Sequence, residues 1–211
     1  MGAAPDDNAR GHPARDAGER GDAERDADTD AAPLEIERSY LLRAMPPLPT
    51  DETGAIDGTV VEVLRIAQGY LPDDAKSTLG VEGRLRRLEH VDGRVELRHT
   101  VKTGFGLVRT EVERSIDAAE FNRLWPHTAG RRLTKTRHRI RAGDFAWEID
   151  RFHEVDLVLA EVELPSATTV APIPSWLAPL VVREVTDEPE YRNSQIALRV
   201  WDAARRSNAS G

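Results

Sequence analysis

The sequence predicts an α+β chain, mainly β, built as an eight-stranded antiparallel β-barrel with flanking helices. Eight runs alternate with period two, at 34–43, 59–70, 82–90, 93–103, 106–115, 132–141, 145–153 and 155–164. Turn residues separate several of them: Asp92-Gly93, Thr103-Gly104-Phe105-Gly106 and Ala142-Gly143-Asp144 each stand between two alternating runs, so adjacent strands are expected to be antiparallel. Charged side chains also recur at i and i+2 within the runs, which puts them on one face of each strand.

The chain has 211 residues, enough for one substantial core. Residues 1–33 carry nine acids against four Arg, no aromatic residue and no β-branched residue except Thr29. Such a segment cannot bury enough apolar surface to offset the entropy of ordering, and it is read as a disordered acidic tail. A folded domain is expected over 34–205, with 206–211 as a disordered C-terminus.

One helix interrupts the strands. Asp117 and Glu120 have the spacing of a capping box, Phe121, Leu124 and Trp125 share a face, and Pro126 ends it. After Pro165 come a Pro-rich connection, a short apolar segment (Trp176, Leu177, Leu180) and a C-terminal helix over about 189–205, with Ile196, Val200 and Trp201 as packing residues.

The net charge is −8, of which the first 33 residues account for −5. The nearly balanced remainder lacks the basic field of a general nucleic-acid binder. Without Cys, disulfides, thiolate nucleophiles and Cys-ligated zinc are excluded. The start of the chain has no apolar core for a signal peptide, and no stretch is long and apolar enough to cross a bilayer, which predicts a cytoplasmic protein with no membrane partner. His90, His99, His127, His138 and His153 show no zinc-ligand spacing. Lys102-Thr103-Gly104-Phe105-Gly106 lacks the spacing of a phosphate loop and reads as a turn.

The charge pairs are segregated by sign. Glu35 and Glu37 share a strand face, as do Glu148 with Asp150 and Glu161 with Glu163; Arg84 with Arg86 and Lys135 with Arg137 and Arg139 form basic counterparts. Lys102 ends one run, and Arg109, Glu111 and Glu113 lie on one face of another. Like charges two positions apart repel, and become tolerable when each faces a compensating strand, ligand or metal. A barrel whose interior is polar supplies that arrangement, with apolar alternates such as Leu34, Ile36, Val112, Val162 and Leu164 on the outer wall.

Leu34-Glu35-Ile36-Glu37-Arg38-Ser39 resembles the Glu-x-Glu-x-Lys signature of the CYTH superfamily, the triphosphate tunnel metalloenzymes. Gln68-Gly69-Tyr70-Leu71, Arg84-x-Arg86, Thr100-Val101-Lys102, Gly106-Leu107-Val108-Arg109, Glu111-x-Glu113, Lys135-Thr136-Arg137, Ala160-Glu161-Val162-Glu163-Leu164-Pro165 and Glu184-Val185-Thr186-Asp187 follow in the order of single-domain bacterial members. The resemblance implies a triphosphate tunnel and metal-dependent hydrolysis of the terminal phosphate of an inorganic or organic triphosphate, with Mg²⁺ or Mn²⁺ as cofactor and a small-molecule triphosphate or polyphosphate as partner. It implies a metal-facing set of Glu35, Glu37, Asp150, Glu161 and Glu163, with Glu111 and Glu113 as additions. Arg84, Arg86, Lys102, Arg109, Lys135, Arg137 and Arg139 form the phosphate-facing set, and Glu35, Glu37, Lys102 and Arg137 the catalytic one. Ser39 departs from the signature, standing where its Lys would be; Arg38 lies on the opposite face of an ideal strand. That departure keeps a non-catalytic polyphosphate- or nucleotide-binding module as an alternative, with adenylate cyclase behind it. Neither the preferred triphosphate nor the oligomeric state can be read from the sequence.

Overall fold

The computed structural model describes residues 34–47, 55–56, 59–103 and 108–209. The acidic tail, the turn glycines Gly104 and Gly106, and residues 210–211 lie outside the described residues, as do the side chains of Leu34 and Arg109.

Among the described residues ten strands form one sheet: β1 (Leu34–Leu42), β2 (Ala55–Ile56), β3 (Thr59–Tyr70), β4 (Arg84–His90), β5 (Val95–Thr103), β6 (Val108–Ser115), β7 (Arg132–Ala142), β8 (Phe145–Phe152), β9 (Val158–Glu163) and β10 (Val181–Glu184). All pairings are antiparallel. The hydrogen-bonded order is β10-β1-β6-β5-β4-β3-β7-β8-β9, with β2 beside β3 and off that path. The path therefore holds nine strands rather than the expected eight, and the sheet is not a simple closed barrel. β1 divides itself among neighbours: 34–36 pair with β6, 37–42 with β9 at the far end of the path, and 40–42 also with β10. β10 finds its place because the short β1–β6 pairing leaves that edge of β1 open; Val185 N donates to Ser39 O at 2.8 Å and extends the contact.

The turns form as their residues dictate. Gly93 has φ of +85° and Gly143 +61°, the left-handed conformation that glycine adopts without steric cost. Helix α2 (Ala118–Leu124) is capped by Asp117, whose carboxylate accepts from Glu120 N at 2.7 Å. Pro126 does not stop the chain abruptly, because a 3₁₀ turn continues over Trp125–Thr128. A short helix α1 (Ala75–Leu79) was not foreseen. Helix α3 (Asn193–Ala209) starts later than expected, after a 3₁₀ turn at Pro189–Tyr191, and keeps 206–209 helical. No helix among the described residues is long and apolar enough to cross a membrane.

Packing divides the two faces of the sheet. Outward residues Ile36, Trp147, Ile149 and Val162 form a core with Ala171 and Leu177 of the Pro-rich connection. A second outer core joins Leu85 of β4 to Ile116, Phe121 and Leu124, with Phe121 stacked on Trp125 at 5.0 Å. Val112, placed on the outer wall by its parity between Glu111 and Glu113, is 54% exposed. In the third cluster, Ile196 and Ala197 of α3 meet Leu133, Phe152 and Leu159. Trp201 does not join this core: it is 45% exposed and lies against Gly130, where a Cβ would come within 3.2 Å of its ring.

Candidate active site

Strand parity aims the charged pairs into one cavity of about 930 Å³. β1 contributes Glu35, Glu37 and Ser39; β4 contributes Arg84 and Arg86; Lys102 comes from β5, and Glu111 and Glu113 from β6. The opposite wall carries Arg137, Arg139 and Arg141 of β7, Glu148 of β8, and Glu161 and Glu163 of β9.

Opposite charges meet across strands. Lys102 Nζ lies 2.5 Å from Glu35 and 2.7 Å from Glu111, which also faces Arg84 at 3.7 Å. Arg86 pairs with Glu113, whose Oε2 accepts from Thr100 Oγ1 at 2.8 Å. On the other wall Arg137 donates to Glu148 and, at 2.9 Å, to Glu161, while Arg139 reaches Glu148 at 2.6 Å. Partly buried charges need such partners because desolvation is costly. These pairs are also exchangeable, since phosphate oxygens can replace carboxylates on the guanidinium groups and a divalent cation can replace an ammonium between carboxylates.

The electrostatics reflect this crowding. Burial raises the Glu35 carboxyl above its ordinary range, aided by a hydrogen bond to Glu111 and opposed by Lys102. Burial would raise Glu111 too, but its hydrogen bond with Glu35 and the charge of Lys102 outweigh this and bring it to about 2. Of the two, Glu35 therefore keeps its proton to higher pH than Glu111. Arg86 is lowered to about 10 by burial and by neighbouring Arg84.

Twelve residues anticipated for the site line this cavity: Glu35, Glu37, Ser39, Arg84, Arg86, Lys102, Glu111, Glu113, Arg137, Arg139, Glu161 and Glu163. Lys135 and Asp150 do not. They are 2% and 0% exposed, Lys135 Nζ bonds Asp150 Oδ2 at 2.5 Å and Asn193 Oδ1 at 3.1 Å, and Arg137 grips Asp150 at 2.7 and 2.6 Å. Their parity is the same as that of Arg137 and Glu148, but α3 packs over this part of the interior and turns them into a buried ion-pair network. Arg109 is placed by its backbone alone, opposite Glu35. Ser39 lies across from Glu161, with Ser39 N donating to Thr186 Oγ1 at 3.1 Å. Arg38 points away and binds Glu184 at 2.8 Å, so it does not stand in for a cation at Ser39.

Sequence reasoning left several lining residues out of the site. Arg141 and Glu148 continue the i, i+2 rows of β7 and β8 and were within reach of that signal. Tyr70, Tyr191, Arg192, Asn193 and Ser194 carry no such pattern. Among the described residues no group of three or more His, Asp or Glu is gathered as a ready metal nest. The available donors are nonetheless hard carboxylate oxygens, and Mg²⁺ is commonly bound by one or two carboxylates with phosphate completing its shell, so the residues fit such an ion.

No family model matches the chain. It is 34% identical over 171 residues to an inorganic triphosphatase of Nitrosomonas europaea, covering 79% of this chain and 98% of that protein. An inorganic triphosphatase of Acetivibrio thermocellus is 36% identical over 101 residues, covering 46% of this chain and 62% of that protein. A crystal structure of an inorganic triphosphatase matches with a TM-score of 0.48 and 32% identity, over 78% of this chain and 97% of that one. The chain belongs to the CYTH superfamily of these inorganic triphosphatases. The relative matched along nearly its whole length carries that name.

Proposed function

We propose that this chain hydrolyses the terminal phosphoryl bond of a triphosphate, inorganic or organic, with Mg²⁺ or Mn²⁺. The observation that carries the reading is the single cavity in which Arg84, Arg86, Lys102, Arg137 and Arg139 face carboxylates from β1, β6, β8 and β9. A polyanion that displaces those carboxylates gains charge-assisted hydrogen bonds from several strands at once.

Arg84, Arg86 and Lys102 on one wall and Arg137 and Arg139 on the other take the non-bridging oxygens and stabilise charge that builds up as the terminal phosphoryl group departs. Mg²⁺ or Mn²⁺, which Glu35, Glu37, Glu161 and Glu163 would hold, supplies further charge neutralisation and alignment of the phosphates when bound. A carboxylate left without its base can accept a hydrogen bond from water and orient it for in-line attack. Ser39 adds no charge to this scheme, so the cations on β4, β5 and β7 carry the stabilisation.

Phosphate release from tripolyphosphate, thiamine triphosphate and ATP, each with and without Mg²⁺ or Mn²⁺, tests the reading. Metal-dependent release from at least one of them is expected. Natively folded protein that binds tripolyphosphate and leaves every triphosphate intact would instead establish a binding module, the reading that Ser39 favours.

A further inference from the structure

A second, smaller cavity of about 280 Å³ adjoins the first, and the two share Arg86, Glu113, Arg137 and Arg139 along their boundary. β4 and β5 run from one into the other: Arg84 and Lys102 face only the larger cavity, and His90, Glu96 and Arg98 only the smaller. The balance of charge reverses on the way. Among the described residues, glutamates outnumber lysine and arginine eight to seven around the larger cavity, a balance that a divalent cation would redress. Around the smaller one arginines outnumber glutamates five to three, and a cation would only add to the surplus.

Each of those three glutamates already meets a guanidinium group. Glu113 pairs with Arg86, Glu62 lies 3.5 Å from Arg139, and Glu96 accepts from Arg98 Nε at 3.1 Å. Arg137 is spent on Asp150, Glu148 and Glu161. Arg94 is the surplus base, and it crowds onto the same Glu96 that Arg98 holds. His90 steadies it: Arg94 Nη2 donates to His90 Nδ1 at 3.0 Å, and because a guanidinium group cannot accept, the imidazole proton sits on Nε2, 3.0 Å from Glu96 Oε1. Two guanidinium groups offer about ten N–H donors against about four acceptor positions on one carboxylate, so donors remain for a ligand. This is no solvated surface row, since the His90 side chain is 9% exposed and buried Leu64 and Ile66 line the same cavity, where their low dielectric strengthens any ionic contact.

We propose that the smaller cavity is a metal-independent binding site for orthophosphate, held by Arg94 and Arg98 at the β4–β5 hairpin. Its volume lies just below the roughly 300–1,000 Å³ of sites for drug-sized ligands, which suits a single small oxyanion. The planar forks of two guanidinium groups match the oxygens of phosphate. Orthophosphate is also the fragment that hydrolysis of a terminal phosphoryl group releases. Arg86 lines both cavities, so an anion that draws it toward the smaller one weakens the hold on triphosphate in the larger. That role in turnover rests on the triphosphatase reading, whereas the anion site rests on the charge balance of its own lining.

Calorimetry with orthophosphate in the presence of EDTA tests the site on the full chain, using the wild type, Arg94→Gln, Arg94→Lys and Arg84→Gln, with thermal melts of each. The Arg94 side chain is 54% exposed, so its variants are expected to melt like the wild type. Arg94→Gln should raise the Kd for orthophosphate roughly tenfold, the loss of one hydrogen bond to a charged group, and Arg94→Lys should recover part of it. Arg84→Gln, altered only in the larger cavity, should change that Kd by less than about twofold. Added orthophosphate should slow tripolyphosphate hydrolysis by the wild type more than by Arg94→Gln, whose rate without added phosphate stays at the wild-type level. Wild type that binds no orthophosphate, a Kd that Arg94→Gln leaves unchanged, or one that Arg84→Gln raises just as much, overturns the site. Equal inhibition of the wild type and Arg94→Gln overturns the role in turnover. If orthophosphate binds through Arg94 while every triphosphate stays intact, hydrolysis fails and the anion site stands.

Discussion

Lys102 of β5 reaches across to Glu35 of β1, its ammonium 2.5 Å from the carboxylate, and the same ammonium touches Glu111 at 2.7 Å. One cation thus holds together two carboxylates from adjoining strands in the part of the cavity where phosphate oxygens would compete for it. Lys102→Met should lower kcat/KM for the preferred triphosphate by roughly 10²- to 10³-fold, the usual loss for one preorganised charge. Steady-state kinetics at saturating metal checks this.

The opposite shifts of Glu35 and Glu111 give a pH prediction. Glu35 is raised above its usual 4.5, so its contribution to stability is complete below that value and is lost as pH rises through its folded pKa. Glu111 has the opposite sign: its contribution is present above 4.5 and is lost as pH falls toward about 2. Glu35→Gln, which fixes the protonated form, should remove the Glu35-linked decline in stability with rising pH and should abolish metal-dependent turnover. Thermal melts from pH 3 to 8 together with phosphate-release assays measure both.

Asp150 anchors the network behind the cavity, accepting from Lys135 and twice from Arg137. Asp150→Asn leaves two buried cations short of charge and should destabilise the fold by about 3–5 kcal/mol. Lys135→Met should cost less, because Arg137 still satisfies Asp150. Urea denaturation at neutral pH gives the order of the two; the reverse order would remove Asp150 from the centre of the network.

Ser39 stands across from Glu161, close to the acidic rows of β1 and β9. Ser39→Lys places a reaching cation beside those acidic rows in the cavity. It should tighten tripolyphosphate binding by roughly tenfold, equivalent to about 1.4 kcal/mol. Calorimetry and kcat on the same preparation separate a gain in binding from a gain in rate.

Period two was enough to foresee the charged rows. Arg84 with Arg86 and Glu161 with Glu163 face the cavity because strand parity leaves them no other direction, and Arg141 and Glu148 follow from the same rule. The rule says which face a residue occupies and not what else packs there. Lys135 and Asp150 have inward parity, yet α3, some 40 residues or more further along the chain, covers them, a tertiary contact invisible in either strand alone. Tyr70 was missed for a different reason: the residues before it in its row, Leu64, Ile66 and Gln68, are uncharged, so no charge pair marks it. β10 was missed because Val181–Glu184 becomes a strand only where β1 offers it an unpaired edge.

The most direct test of the triphosphatase account follows tripolyphosphate by ³¹P NMR in the presence of the full-length protein and Mg²⁺ or Mn²⁺. Equal amounts of orthophosphate and pyrophosphate, appearing only with metal and strongly slowed by Lys102→Met, are predicted. Tripolyphosphate resonances that persist unchanged beside natively folded protein would contradict it.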